Sequence, residues 1–372
     1  MRWIATGGAL GLCLTLVGCS EEPASTSTAS AATASHDLPS KAELKKRIDD
    51  AVAFAVKQRH MDTRVNAAWQ IVHGILVYGR DLQVYHDGKL VSALDYLQNG
   101  GTLNGWNLRR GSHGLEVVTE PGSKTGQGHE DQWLGYLSQC GLQPDDKIVV
   151  SGQTYQVRDL VTQAQWDIYP GMEATWTLMG FATLLPLDTT WKAKDGSTWD
   201  IERIVAMEAG QELVGAACGG SHRMYALSLA VNRRLDETGG QLTGGWKAAD
   251  DKIKNAIDTI KKNQQPDGSF STNYFSRPGT SPDLMLRLST TGHTLEFLTV
   301  SLTNKQLTEP WVTRAVDHLL GLLERTKDFD LECGSLYHSV HALDLYRIRM
   351  AEIDKGTTTT AHAQEAAAEK SL

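Results

Sequence analysis

Cysteine is scarce in this chain: five among 372 residues, with Cys13 and Cys19 inside the first nineteen. The three that remain, Cys140, Cys218 and Cys333, exclude a disulfide framework, although one bridge is allowed in an oxidising compartment. Clustered positive charge is also missing. With net charge −8 and no Lys/Arg run, a nucleic-acid role is not expected, because phosphate binding needs a concentrated cationic face. Residues 20–38 and 356–372 are poor in bulky apolar side chains and cannot offset the entropy of ordering.

What is present begins with an address. Arg2 precedes an apolar or small-residue run over 4–17, which ends Leu16-Val17-Gly18-Cys19. That segment is too short for a permanent span and has the form of a secretory signal with a bacterial lipobox. The expectation is a signal peptide over 1–18, with Cys19 lipidated and carrying the chain on the membrane of the cell envelope, facing the periplasm or exterior. A flexible tether over 19–39, a folded domain over 40–352 and a frayed tail over 353–372 complete the division.

The folded part alternates two kinds of helical pattern. Ser40-Lys-Ala-Glu43 is a capping box, and Leu44, Ile48, Val52 and Ala55 follow at helical spacing. Residues 69–79 are apolar on most faces, as a buried helix requires. Polar-faced helices near 90–98, 157–166, 199–210, 246–264 and 311–325 each precede a more apolar one, near 129–140, 172–185, 213–233, 289–302 and 335–350. Six outer–inner pairs in strict alternation point to an all-α fold, an α/α toroid of about six helical hairpins. Ser151-Gly152 within 148–157 and Asp195-Gly196 within 190–199 mark small β-hairpin insertions. The glycine-rich stretch 99–128 reads as the longest irregular segment.

Chemistry concentrates at the starts of the inner helices. Cys218-Gly-Gly-Ser-His222, Thr291-Gly-His293 and Cys333-Gly-Ser-Leu-Tyr-His338-Ser-Val-His341 repeat one arrangement, with glycine just ahead of histidine. Glycine allows close backbone approach, and helix starts in a ring converge on one cavity. The expected lining is Trp69, His73, His129, Asp131, Glu173, Trp176, Cys218, His222, His293, Glu296, His338 and His341.

Three readings of this cavity stand together. In the first, Cys218, His222, Cys333 and His338 are ligands of a metal such as zinc. In the second, Glu173, His222 and His293 do acid–base chemistry on a glycan or isoprenoid-like substrate, with Asp131 and Glu296 as further carboxylates and Trp69 and Trp176 as stacking faces. In the third, each histidine merely caps a turn or bonds a neighbouring carbonyl. The leading expectation is a pocket that binds a small molecule, glycan or lipid-like ligand. An enzyme and a non-catalytic envelope interaction protein both stay open. His60, His86 and His318 are expected at the surface, and Cys140 buried and inert.

Gln264-Gln265-Pro-Asp267-Gly268-Ser-Phe270 resembles the Gln-x-x-Gly-x-Trp element of squalene and terpenoid cyclases, with Phe270 in place of tryptophan. The resemblance implies the α/α toroid that those enzymes share with protein prenyltransferase β subunits and lanthionine-synthetase-like proteins. It also implies a glutamine that caps a helix end beneath an aromatic ring, tying neighbouring hairpins together. The cyclase Asp-x-Asp-Asp motif is missing, since Asp145-Asp146 and Asp250-Asp251 lack its spacing, and so is the Asp-x-Cys of zinc prenyltransferases. Neither activity is therefore implied. His73-Gly74, Gly128-His129-Glu130-Asp131-Gln132 and Ala217-Cys218-Gly219-Gly220-Ser221-His222 resemble uncharacterised bacterial lipoproteins, some labelled GTPase-activating proteins for ADP-ribosylation factors. The chain has no zinc-finger cysteine quartet to support that activity.

Overall fold

The structure, a computed structural model, describes residues 38–58, 61–119 and 128–356. Cys19, the 1–18 signal, the tether up to residue 37, His60 and the tail from 357 lie outside the described residues. Among the described residues the fold is mostly helical, with four two-stranded antiparallel hairpins. No helix among them is long and apolar enough to cross a membrane.

The chain begins with α1 (Lys41–Gln58) and α2 (Ala68–Tyr78), then the hairpin β1 (Gln83–His86) and β2 (Lys89–Ser92), and α3 (Ala93–Gln98). Next come β3 (Trp106–Arg110), β4 (Leu115–Thr119), α4 (Gln132–Gln139), β5 (Lys147–Val150) and β6 (Gln153–Gln156). They are followed by α5 (Val157–Asp167), α6 (Thr175–Leu184), β7 (Thr190–Lys192), β8 (Thr198–Asp200) and α7 (Ile201–Gly210). A short 3-10 turn over Ala217–Gly220 opens α8 (Ser221–Thr238). The last elements are α9 (Gly244–Asn263), α10 (Leu284–Ser301), α11 (Asn304–Leu307), α12 (Pro310–Thr326) and α13 (Cys333–Asp354).

Burial separates the two kinds of helix. On α9 a single stripe of Trp246, Ala249, Ile253, Ile257 and Ile260 is buried, so one face packs and the other meets water. On α6 every residue from Thr175 to Ala182 is buried, and on α10 every residue from Thr290 to Thr299. The helices buried all round pack in order: α2 on α4, α4 on α6, α6 on α8, α8 on α10, α10 on α13, and α13 back on α2. Around them α1 packs on α12 and α13, α7 on α9, and α12 on α10. The Ser40 hydroxyl accepts from the Glu43 amide at 3.2 Å, as the capping pattern requires.

Close approach between α10 and α13 depends on Gly292. A β-carbon there would lie 2.9 Å from the Ser339 Cα, inside van der Waals contact with backbone that has no room to move. Gly292→Ala is expected to cost about 2–3 kcal/mol of unfolding free energy by overpacking, read as a lowered urea midpoint at unchanged slope.

Two hairpins sit where Ser-Gly and Asp-Gly turns predict them, β5–β6 and β7–β8. Two more were not anticipated. Asp87 and Gly88, with φ of 50° and 74°, form the two-residue turn of β1–β2. The stretch 99–128 is not wholly irregular either, since it contains β3–β4. Trp106 is buried there and Arg109 pairs with Glu116 across the strands, a half-buried pattern too short and charged to announce itself as alternation.

The cyclase-like element holds α9 and α12 together by a different glutamine from the motif's own. The side chain of Gln264, just past α9, donates to the Gly268 carbonyl at 3.0 Å and to the Trp311 carbonyl of α12 at 2.8 Å. Gln265 instead bonds the Asn263 carbonyl, while Phe270 meets Trp311 edge-on at 6.3 Å. His318 belongs to the same junction rather than to the solvated surface. Its side chain is largely buried, with Nδ1 donating to the Asp267 carbonyl at 2.9 Å and Nε2 facing Arg287. His86 is half-buried, with its Nδ1 2.8 Å from the Thr63 hydroxyl.

Candidate functional site: a histidine cluster with one cysteine

Four buried imidazoles from four of the mutually packed helices meet. His73 comes from α2, His222 from the first turn of α8, His293 from α10 and His338 from α13. The His338 ring centre lies 4.9 Å from that of His73, 4.9 Å from His222 and 4.0 Å from His293, and His222 and His293 are 5.1 Å apart. All four line one cavity of about 200 Å³, together with Cys218, Trp69, His129, Trp176 and Glu332.

Three of the four rings are held by their Nδ1 atoms. His73 Nδ1 donates to the Trp69 carbonyl at 2.5 Å, and His293 Nδ1 to the Ser289 carbonyl at 2.8 Å. His338 Nδ1 donates to Glu296 at 2.9 Å, and His341 Nδ1 to the other oxygen of the same carboxylate at 2.5 Å. In the neutral rings of His73 and His338, occupying Nδ1 fixes the tautomer that leaves Nε2 as a bare acceptor. For His338, 2% exposed, that Nε2 is buried and has no hydrogen-bond partner.

Cys218 reaches the cluster through unusual backbone. Cys218, Gly219 and Gly220 have φ of 47°, 64° and 86°, three consecutive left-handed residues, and only the two glycines adopt them without strain. α8 therefore begins at Ser221, not near residue 213, and Cys218 precedes it with its sulfur turned toward the imidazoles. Among the described residues, two groups of potential ligand atoms lie within 4.8 Å of one another: Cys218, His222 and His293, and His222, Glu296 and His338.

Electrostatics keep most of these rings neutral. Burial lowers the pKa of His73, of His222 and of His338, the last to about 3, and neighbouring imidazoles add to the effect for all three. Burial opposes charge on His293 as well, but the adjacent Cys218 sulfur and Glu296 overcome it and raise that group to about 9. Burial would favour the acid form of Glu296, yet His338 and His341 outweigh it and hold the carboxyl well below its usual range.

Several sequence expectations are corrected by position. Cys333 is buried at the start of α13 but belongs to neither ligand group. It precedes His338 by five residues, which at about 100° per residue turns it some 140° away around the helix. His293 is not at a helix start, because α10 begins at Leu284 and places it mid-helix. Glu173 lies outside the cavity lining and accepts from His129 Nδ1 at 2.7 Å. Glu296 and His341 form a layer behind the lining rather than part of it. Cys140 is half-buried rather than buried: its thiol lies against the Ile75 and Tyr136 carbonyls, and desolvation pushes it up to about 12.

Asp131 faces a different, larger cavity of about 670 Å³, bordered by Glu130, Asp167 and Lys194, and accepts from the Thr177 hydroxyl at 2.5 Å. Burial raises its pKa to about 6 against the donated hydrogen bond. A carboxyl raised on folding contributes stability below its unfolded pKa, near 3.8, and loses it as pH rises through 6. Asp131→Asn is therefore expected to match the wild type below pH 4 and to exceed it by about 2 kcal/mol at pH 7–8, read by denaturation at both pH values.

The role of Glu296 as a bridge between two histidines was not legible, although His293-x-x-Glu296 and His338-x-x-His341 each put two polar groups on one helix face. The α10–α13 pairing that brings the two faces together is long-range. In comparison with known proteins, no family model matches the chain, and neither a curated protein nor a solved structure matches it.

Proposed function

We propose that the histidine cavity is a transition-metal centre of zinc type, with Cys218, His222 and His293 as ligands and His338 as the fourth donor. One observation carries this reading. The Cys218 sulfur and the His222 and His293 ring nitrogens lie within 4.8 Å of one another, beside a buried His338 Nε2 that has no partner. Thiolate sulfur and imidazole nitrogen are both donors that zinc takes in four-coordinate sites. The layer behind fits as well, since carbonyl and carboxylate acceptors on Nδ1 orient ligating rings and raise their basicity. Unconnected structural histidines would not need to bring two ring nitrogens and a cysteine sulfur within 4.8 Å of one another.

The frame of this centre is, in the same proposal, an α/α toroid, in which the closed cycle of packed helices forms the inner ring. The lipobox at Cys19 adds an address: an exported lipoprotein on the cell envelope, its centre holding a small ligand. Zinc content of tag-free protein, purified without chelators, tests the reading. Stoichiometric zinc in the wild type, lost in Cys218→Ala, is expected. Wild-type protein that holds no metal even after reconstitution would overturn it.

A further inference from the structure

We infer that His129, held by Glu173, is the proton-accepting group of this cavity, and that the cavity hydrolyses small uncharged acyl compounds. The inference rests on the metal reading but on other residues. His129 precedes α4 and lines the cavity without belonging to either ligand group. Its Nδ1 donates to Glu173 at 2.7 Å, and its ring stacks on Trp176 at 4.0 Å and 19°, which fixes the plane of the imidazole. Trp176 in turn packs 5.3 Å from His222, so one indole links the dyad to the ligand cluster. With Nδ1 engaged, Nε2 is the nitrogen left to take a proton. Glu173 keeps its charge, because the hydrogen bond from His129 holds its carboxyl below the usual range despite partial burial.

The lining selects the substrate. It contains no lysine or arginine, and its one carboxylate, Glu332, accepts from the Gly334 and Ser335 amides and stays ionised. The ionised Glu332 would repel phosphate and carboxylate substrates, and no lysine or arginine of the lining offsets it. Glycoside hydrolysis needs two carboxyl groups flanking the bond, and the lining offers only this capped one. An ester or amide of a small acyl group needs neither, and about 200 Å³ accommodates one. A zinc-type ion would supply polarisation of the carbonyl. In the step itself, a water oxygen bonds to the acyl carbon as its proton passes to His129 Nε2. The carbon–leaving-group bond then breaks, and His129 returns the proton to the departing oxygen or nitrogen.

Zinc-loaded full-length protein, assayed with p-nitrophenyl acetate and bis(p-nitrophenyl) phosphate, tests this without knowledge of the natural substrate. The acetate is expected to turn over above the rate of His222→Ala, and at least about 100-fold faster than the diester. His129→Ala and His129→Gln should lose about 100-fold with zinc content unchanged. Glu173→Gln, which changes only the positioning residue, should lose about 10-fold and move the acid limb of the pH–rate profile, which loss of packing would not do. Zinc-loaded wild type no faster than His222→Ala, faster cleavage of the diester, or His129 variants at half the wild-type rate or more would overturn the inference and leave the metal reading standing. Absence of zinc from the wild type is the separate failure of that reading.

Discussion

His222→Ala is expected to weaken zinc binding by about a thousandfold, measured by competition with a chromophoric chelator. His222 is the one residue common to both groups of close ligand atoms, so its removal strikes Cys218–His293 and Glu296–His338 alike. It also lies in the first turn of α8, just after the left-handed Cys218-Gly219-Gly220 turn that brings sulfur and imidazole together. Alanine should leave the helix intact, because the α8 start depends on that turn and not on the imidazole. Circular dichroism should therefore be unchanged while the affinity falls. Wild-type affinity in this variant would mean that the ion sits elsewhere.

The largest stability effect is expected at Glu208, the partner of Arg223, which follows His222. Glu208, at the end of α7 and 0% exposed, accepts from the Ala174 amide at 3.0 Å, the Thr175 hydroxyl at 2.7 Å and Arg223 Nε at 2.9 Å. One carboxylate thus joins α7, the start of α6 and the first turn of α8. Glu208→Ala would strand a buried guanidinium and two donors, at a cost of about 3–5 kcal/mol. Equilibrium urea unfolding reads the loss directly. Removing the charge at both ends, with Glu208→Ala and Arg223→Met together, should recover part of it, because a buried pair replaced by apolar side chains is far cheaper than a broken one. If the double variant is no better than Glu208→Ala alone, the cost lies in the α6 donors rather than in the stranded charge. Because Arg223 follows His222, the single variant should also loosen the histidine cavity.

These two predictions mark where the sequence was legible and where it was not. Local periodicity carried the helices well. The stripe on α9 from Trp246 to Ile260 and the all-round burial of α6 and α10 both follow from spacing alone. The three recurring Gly–His stretches supplied His222, His293 and His338, and the expected lining added His73, four rings that do meet. What failed depended on rotation or on distant partners. Cys333 carried the right chemistry on the wrong side of α13. The apolar residues between 213 and 217 extended the helical pattern of α8 backwards, and only Gly219-Gly220 hinted that a left-handed turn would end it. Neither the Glu208–Arg223 pair nor the bridge of Glu296 to His338 and His341 has a local signature, because each joins separate helices through buried charge. Asp131 shows a finer limit. It adjoins the helix start that follows His129, yet its left-handed backbone, φ 57°, turns it toward Thr177 and another cavity.

The central claim is that Cys218 and the histidines share one ion. X-ray absorption at the zinc edge of the reconstituted protein tests it most directly. The account predicts a first shell with one sulfur at about 2.3 Å and two or three imidazole nitrogens at about 2.0 Å, the sulfur vanishing in Cys218→Ala. A first shell of oxygen and nitrogen without sulfur in the wild type would contradict it.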